Sequence, residues 1–143
     1  MKIIIGSDHA GFELKSECVN HIKNVLNIEV DDIGVYDKLS ADYPRVAHMV
    51  SKKISKGEYD RGILICGSGV GMSMVANRYK GIRAALCHNI YTARMSRMHN
   101  DANVLTMGER IIGKGLALEI LENFLKTPFE GGRHKKRVEQ IDL

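Results

Sequence analysis

The chain has 143 residues, of which 44% are hydrophobic, and a formal net charge of +4 at pH 7. This length and composition suit one domain with an ordinary buried core, so we treat residues 1–143 as a single domain. No apolar run approaches the ~20 residues that span a bilayer, and the three cysteines lack the number and spacing of a disulfide framework. We therefore expect a soluble, cytoplasmic protein without a membrane partner.

Apolar runs alternate with helical patterns along the whole chain. The predicted strands cover residues 2–6, 28–33, 62–66, 82–87 and 103–107. The predicted helices end near residues 26, 57 and 79, run from 90 to 98, and finish before Pro128. Five short strands alternating with helices predict the α/β class: a three-layer doubly wound, Rossmann-like fold with a five-stranded parallel sheet and helices on both faces.

Two glycine-containing turns follow predicted strands and are candidate sites. Segment 7–11 reads Ser-Asp-His-Ala-Gly, and segment 66–71 reads Cys-Gly-Ser-Gly-Val-Gly. Ligands of doubly wound folds bind beyond the carboxyl ends of the strands, near the point where the strand order reverses, so both turns are expected at one rim. The N–H groups of the second turn and the start of the following helix can hold an oxyanion or phosphate and favour a thiolate at Cys66.

The spacing of the second turn excludes several common uses of glycine-rich loops. Met72 stands where a dinucleotide fingerprint has its third glycine, and no lysine followed by serine or threonine closes a nucleoside-triphosphate loop. Met72 also stands where a phosphatase thiol loop carries arginine, and Cys66 where a phosphoryl-accepting domain carries aspartate. His9, His99 and Cys66 lack metal-ligand spacing, so we expect neither a structural zinc nor a cofactor.

The basic residues are spread along the chain except for segment 133–137, which reads Arg-His-Lys-Lys-Arg. One short basic run is not the clustered basic surface of a nucleic-acid-binding protein, so we expect no nucleic-acid partner. The run is either a solvated tail or a clamp for a small anion. Arg133 and Arg137 lie four residues apart, so a helix there would point both guanidinium groups at one anion.

The single residues also have plain structural interpretations. A cysteine at a strand end is more often a small buried hydrophobe, which is what we expect of Cys18 and Cys87, and only the glycine-rich context singles out Cys66. Asp8 is suited to cap a helix, and His99 to end one. The chemistry of single residues therefore depends on which of them share a site.

Five short motifs occur in order along nearly the whole chain, at segments 7–11, 42–44, 66–71, 99–103 and 130–134. Together they resemble the type B ribose-5-phosphate isomerases, a family that includes the galactose-6-phosphate isomerase subunits. Some members lack the cysteine and use a glutamate at the position of Met72, so Cys66 places this chain with the cysteine-base branch. The resemblance implies that ribose 5-phosphate and ribulose 5-phosphate are interconverted through an enediolate.

The resemblance also implies roles for the candidate residues. Cys66 corresponds to the family's base, and Ser68 is positioned to relay a proton. His99 corresponds to the group that opens the furanose ring, assisted by Asp8. The implied substrate contacts are Asp8, His9, Tyr43, Gly67, Ser68, Gly69, Val70, Gly71, Asn100, Arg110, Arg133 and Arg137.

Two other functions remain open from the sequence. One is isomerisation of a six-carbon phosphosugar such as galactose 6-phosphate or allose 6-phosphate. The other is a non-catalytic phosphosugar-binding module, which needs no thiol at position 66.

The predicted helix over residues 90–98 bears on the assembly of the site. About ten helical residues return the chain to the opposite edge of the sheet, which separates His99 from Cys66 within one chain. If both groups serve one substrate, they come from different copies. We therefore expect a homodimer or a dimer of dimers with shared active sites.

Overall fold

The computed structural model describes residues 1–143 as one parallel sheet covered by helices on both faces. The strands are β1 Ile3–Ser7, β2 Val30–Asp32, β3 Arg61–Cys66, β4 Ala84–Leu86 and β5 Val104–Gly108. The helices are α1 Phe12–Asn24, α2 Tyr43–Ser55, α3 Val70–Ala76, α4 Ile90–Met98, α5 Lys114–Lys126 and α6 Arg133–Val138, with a 3₁₀ turn at His9–Gly11. None of these helices has the length and apolarity that a bilayer-spanning helix needs.

The strand order is β2-β1-β3-β5-β4, which confirms the predicted doubly wound sheet. From β1 the chain moves outward to β2, and from β3 it continues on the other side through β4 and β5. The order therefore reverses between β1 and β3, whose register pairs Ser7 with Ile65. The segments that follow these two central strands emerge side by side, as the sequence predicted.

The alternation of side chains along the central strands builds two hydrophobic layers. Ile3, Ile5, Ile63 and Ile65 face one layer, which α1, α4 and α5 cover. Ile4, Leu64 and Cys66 face the other, which α2 and α3 cover. Burial of both faces explains why these strands are continuously apolar rather than alternating with polar residues.

Three of the predicted elements, two strands and one helix, extend further than the elements in the structure. The predictions at residues 28–33 and 82–87 shorten to β2 and β4, because each edge strand pairs with its single neighbour over only three residues. The third predicted helix ends at Ala76 instead of near residue 79. There the side chain of Asn77 accepts from the Ala84 N–H at 2.8 Å and donates to the Ala84 carbonyl at 2.9 Å, which holds the chain at the start of β4.

A fully buried lysine fixes the segment that leaves β2. Lys15 on α1 has no exposed side-chain surface, and its Nζ lies 2.6 Å from Asp32 Oδ1 and 2.6 Å from the Val35 carbonyl oxygen. The Tyr36 ring covers the same ammonium group, with its centroid 4.8 Å away. Since a buried charge is costly without partners, this cluster ties residues 32–36 to α1.

Substitutions in this buried ion pair test whether Lys15 anchors residues 32–36 to α1. We expect Asp32→Ala to lower the free energy of unfolding by roughly 2–3 kcal/mol, because it leaves the Lys15 ammonium buried without its carboxylate. The double variant Lys15→Met/Asp32→Ala should be more stable than Asp32→Ala, since the unpaired charge is then gone. Urea denaturation at fixed protein concentration measures both.

The matched control is Glu58→Ala, which breaks the exposed ion pair between Glu58 and Lys53. An exposed pair contributes about 1 kcal/mol or less, so this variant should unfold almost as the parent protein does. Equal losses for Asp32→Ala and Glu58→Ala would contradict the anchoring role of Lys15.

Candidate active site

A pocket of about 570 Å³ opens at the carboxyl edge of the sheet, where β1 and β3 end. Most of the predicted site residues line it: Asp8, His9, Tyr43, Cys66, Gly67, Ser68, Val70, Gly71 and Arg110. The pocket therefore joins the two turns that the sequence placed at one rim. Ala10, Met74 and Ile111 complete the lining. Ala10 belongs to the motif at segment 7–11, whereas no sequence motif indicated Met74 or Ile111.

Cys66 ends β3 and is 5% exposed. The N–H of Gly69 donates a hydrogen bond to its sulfur at 3.1 Å. Gly69 adopts a left-handed conformation with φ of 77°, and a Cβ there would lie 2.6 Å from Leu86 Cδ1 and 2.9 Å from the carbonyl carbon of Met107. Only glycine suits this position, and its backbone N–H is a donor that stabilises negative charge on the sulfur.

The other two cysteines are buried outside the pocket. Burial and the nearby carboxylates of Glu17 and Glu109 raise the pKa of the Cys18 thiol to about 12. Burial also raises the pKa of Cys87. Both thiols are therefore protonated and unreactive at neutral pH, as expected of packing residues.

Asp8 and His9 enter the pocket from the turn after β1. Asp8 Oδ1 accepts from the N–H groups of Ala10 and Gly11, at 3.0 Å and 3.1 Å, so Asp8 caps the 3₁₀ turn and also lines the pocket. His9 Nδ1 accepts from the Ala41 N–H at 3.1 Å. This contact assigns the proton of a neutral imidazole to Nε2, which leaves Nε2 as a donor for a ligand.

Close backbone packing positions two larger side chains at the pocket. The ring of Tyr43, at the start of α2, lies against Gly71, where a Cβ would approach it to 2.6 Å. Arg110 packs against Gly67 in the same way, and its guanidinium forms no ion pair within the chain. An exposed, unpaired arginine at the pocket is available to an anionic ligand.

Five predicted site residues do not line this pocket. Gly69 is one of them, although its N–H bonds the Cys66 sulfur within the same turn. The other four lie elsewhere: His99, Asn100, Arg133 and Arg137. His99 caps the end of α4, just before β5 begins, and therefore lies at the amino edge of the sheet. Since Cys66 pairs with Gly108 at the end of β5, the length of β5, roughly 13 Å, separates the two edges. Within one chain, the predicted site therefore falls into two parts, one at each edge of the sheet.

The second part is organised around His99. Its ring stacks on His134, with centroids 4.2 Å apart and planes 11° apart. Glu130 Oε2 lies 3.7 Å from His99 Nε2 and 3.8 Å from His134 Nε2. Burial lowers the pKa of His134, the charges of His99, Arg133 and Arg137 act in the same direction, and the Glu130 carboxylate opposes them.

The basic run at residues 133–137 is helical in the structure. Arg133 and Arg137 both lie on α6 and are separated by one helical turn. Neither guanidinium forms an ion pair within the chain. The basic run is therefore an ordered cationic face rather than an extended tail.

The sequence patterns assigned no role to Glu109, and His134 appeared only within the motif at segment 130–134 and the basic run that overlaps it. Glu109 follows β5, and its carboxylate accepts from the Leu14 N–H at 2.9 Å, which fixes the start of α1 beside the pocket. His134 lies inside a basic run, yet it is 6% exposed and stacks on His99. Both contacts join residues that are far apart in the chain, so spacing could not reveal them.

Comparisons with known proteins agree with this fold. The family model Ribose/Galactose Isomerase matches residues 3–141. Ribose-5-phosphate isomerase B of Escherichia coli is 48% identical over 98% of this chain and 93% of that protein. The structure of Clostridium thermocellum ribose-5-phosphate isomerase B superposes with a TM-score of 0.96 at 51% identity and covers 99% of this chain and 95% of that one.

A ribose 5-phosphate isomerase from Thermotoga maritima superposes with a TM-score of 0.95 at 52% identity, covering 99% of this chain and 97% of that one. Similarity of this extent includes both edges of the sheet and not only the glycine-rich turn. The resemblance drawn from five short motifs is confirmed: the chain belongs to the Ribose/Galactose Isomerase family.

Proposed function

We propose that this protein interconverts ribose 5-phosphate and ribulose 5-phosphate, with Cys66 as the base. The observation that carries this assignment is a thiol that lines the pocket and accepts from the Gly69 N–H, with an unpaired arginine, Arg110, lining the same pocket. The relatives named as ribose-5-phosphate isomerases support the substrate. Sugar-phosphate isomerisation requires a base, donors for an oxyanion and a phosphate contact, and the chain supplies a candidate for each.

The proposed reaction moves one proton between two neighbouring carbons. The Cys66 thiolate removes the proton from C2 of the open-chain aldose, and the electron pair of that bond forms the C1–C2 double bond of an enediolate. The same thiol then returns a proton to C1, while the proton of the C2 hydroxyl passes to the C1 oxygen. Ser68 lies at the pocket beside Cys66 and is our candidate for this relay between oxygens.

The glycine-rich turn supplies the donors for the enediolate. Helix α3 begins at Val70, whose N–H donates to the Ser68 hydroxyl at 3.3 Å, and the next N–H, that of Gly71 at the pocket, has no partner within the helix. Fixed donors of this kind lower the energy of a developing oxyanion without reorganising, and each can contribute about 10²–10³ in rate. Asp8 and Tyr43 are positioned to contact sugar hydroxyls, and His9 to donate from Nε2.

The phosphate group requires cationic contacts that the chain does not use internally. Arg110 at the pocket, and Arg133 and Arg137 on α6, have no carboxylate partners within the chain. Guanidinium groups bind phosphate oxygens through two parallel hydrogen bonds, which suits them to a phosphorylated sugar. We therefore assign these arginines to the phosphate.

Because the two parts of the site lie at opposite edges, we propose that two copies of the chain complete it together. In this arrangement His99 and Asn100 of a second copy, with its α6 arginines, face the pocket that contains Cys66. Exposed apolar side chains at the pocket rim support an interface there, since Val70, Met74 and Ile111 are 39%, 61% and 57% exposed. His99 of the second copy then opens the furanose ring.

The activity itself is tested with chelator-treated protein in deuterated water. Ribose 5-phosphate should be converted without added metal or nicotinamide, and deuterium should enter C1 of the ketose where solvent exchange competes with return of the original proton. Galactose 6-phosphate and allose 6-phosphate serve as competing substrates, and unphosphorylated ribose as the control. A preference for a six-carbon phosphate would reassign the substrate, and binding without turnover would favour a non-catalytic module.

The role of Cys66 is tested by alkylation and substitution. At pH 8 an alkylating reagent should modify Cys66 well before Cys18 and Cys87, whose pKa values are raised by burial. A sugar phosphate should slow this modification. Cys66→Ala should lower kcat by roughly 10²- to 10⁴-fold, the usual contribution of a positioned base.

Cys87→Ala is the matched control for Cys66→Ala, because it also removes a buried thiol but one outside the pocket. Its kcat should stay close to that of the parent protein. Full activity of Cys66→Ala would refute the base assignment.

The shared site is tested with two inactive variants. Cys66→Ala and His99→Ala proteins are mixed and allowed to exchange subunits, which mass spectrometry of differently labelled chains verifies. Some hybrid sites then contain both intact groups, so part of the activity should return. Verified hybrids that remain inactive, or a fully active monomer, would show that one chain forms the site alone.

A further inference from the structure

We propose that His99, Glu130 and His134 form a binding site for a divalent cation of the zinc type, and that the bound ion inhibits the protein. The three ligand atoms lie within 4.8 Å of one another. Two imidazole nitrogens and one carboxylate oxygen are a ligand set that suits zinc and leaves a fourth position open.

The distances are close to those of a coordinated ion. Glu130 Oε2 lies 3.7 Å from His99 Nε2 and 3.8 Å from His134 Nε2. Ligands held at about 2.0–2.1 Å around a tetrahedral zinc ion lie about 3.4 Å from one another. Movements of about 1.5 Å or less would bring the three atoms to these separations. One imidazole must also turn out of the stack, because two rings 11° from parallel cannot both direct a nitrogen at one ion. His99 and Glu130 are partly exposed and have the freedom to make them.

His134 provides an independent indication of a ligand. The residue is only 6% exposed, and its Nε2 has no hydrogen-bond partner. A buried polar nitrogen without a partner is unfavourable, and most such groups in proteins are satisfied. The nitrogen lies 3.8 Å from Glu130 Oε2, which is too long for a hydrogen bond, and a metal ion between the two atoms would satisfy it.

The backbone holds the cluster in place from two directions. The Glu130 N–H donates to the Met98 carbonyl at 3.1 Å, which fixes Glu130 beside His99 at the end of α4. The His134 N–H donates to the Gly131 carbonyl at 3.0 Å, which fixes the start of α6. The site therefore does not depend on flexible side chains alone, although Glu130 supplies its open, solvent-facing side.

The neighbouring charges limit the affinity. Arg133 and Arg137 lie close enough for their charges to act on His134, and these positive charges repel a metal ion bound there. We therefore expect weaker binding than at a structural zinc site, with the ion exchanging readily with a chelator.

Inhibition rests on the proposed function, whereas binding of the ion does not. A metal ion on His99 Nε2 occupies the nitrogen that would otherwise exchange a proton with the sugar ring. It would also stand beside α6, where the proposed phosphate contacts lie. Substrate and metal ion should therefore exclude each other.

Binding is tested by titrating Co²⁺ and Zn²⁺ into the Cys66→Ala protein, which removes the one pocket thiol that could bind either ion. Calorimetry should give one Zn²⁺ per chain, and Co²⁺ should produce visible absorption without a thiolate charge-transfer band. In the same background, Glu130→Gln and His134→Gln should each weaken binding by about tenfold or more, since each removes one of three ligands. Circular dichroism verifies that the variants are folded.

The matched control is His21→Gln. His21 Nε2 lies 2.6 Å from Glu122 Oε1, so this position is also a histidine and carboxylate pair, but it lacks a second histidine. The substitution should leave the affinity for Zn²⁺ unchanged. No saturable binding, or equal affinity in Glu130→Gln and the parent, would overturn the proposal; Glu130 is half-exposed, so its glutamine variant should fold.

The inhibitory effect is measured separately, with Cys66 intact. Zn²⁺ should reduce turnover of ribose 5-phosphate, a chelator should restore it, and Glu130→Gln should require about tenfold more Zn²⁺ for the same fractional loss. Binding at the cluster in a protein without isomerase activity would refute the proposed function and leave the metal site standing. Active protein whose inhibition is independent of Glu130 would refute inhibition through this cluster.

Discussion

The left-handed turn at Gly69 is the constraint on which the pocket depends. With φ of 77° the chain reverses within three residues of the end of β3, and this reversal brings the Gly69 N–H to the Cys66 sulfur. The Met107 carbonyl and Leu86 leave no room for a side chain there. Since β3 is the central strand, the same turn sets where α3 begins and how the β1 turn meets it.

Much of the architecture could be predicted because apolar periodicity reports burial directly. Ile63, Leu64 and Ile65 are apolar at successive positions, which occurs in a strand covered on both faces. The ends of β2 and β4 were mispredicted because apolar periodicity indicates burial but not backbone pairing. Ile82 is buried and apolar but lies outside β4, because backbone pairing at an edge strand depends on its one neighbour and not on hydropathy.

The candidate site was predictable where local backbone chemistry defines it. Cys66 and the glycines after it, and Asp8 with His9, follow strands in a pattern that parallel sheets use for ligands. The contacts of Lys15 with Asp32 and of Glu109 with the Leu14 N–H were not predictable. These polar groups are partnered only after the chain has folded, and a buried lysine on an amphipathic helix has the same sequence signature as a solvated one.

The separation of Cys66 from His99 has a thermodynamic consequence if two copies complete the site. A separate chain would then offer a sugar phosphate only part of its contacts, so the ligand would bind the assembled protein more tightly than the separated one. By reciprocity, each bound ligand would strengthen the association of the chains by the same factor. Dilution would weaken substrate binding, and abundant substrate would preserve the quaternary structure that acts on it.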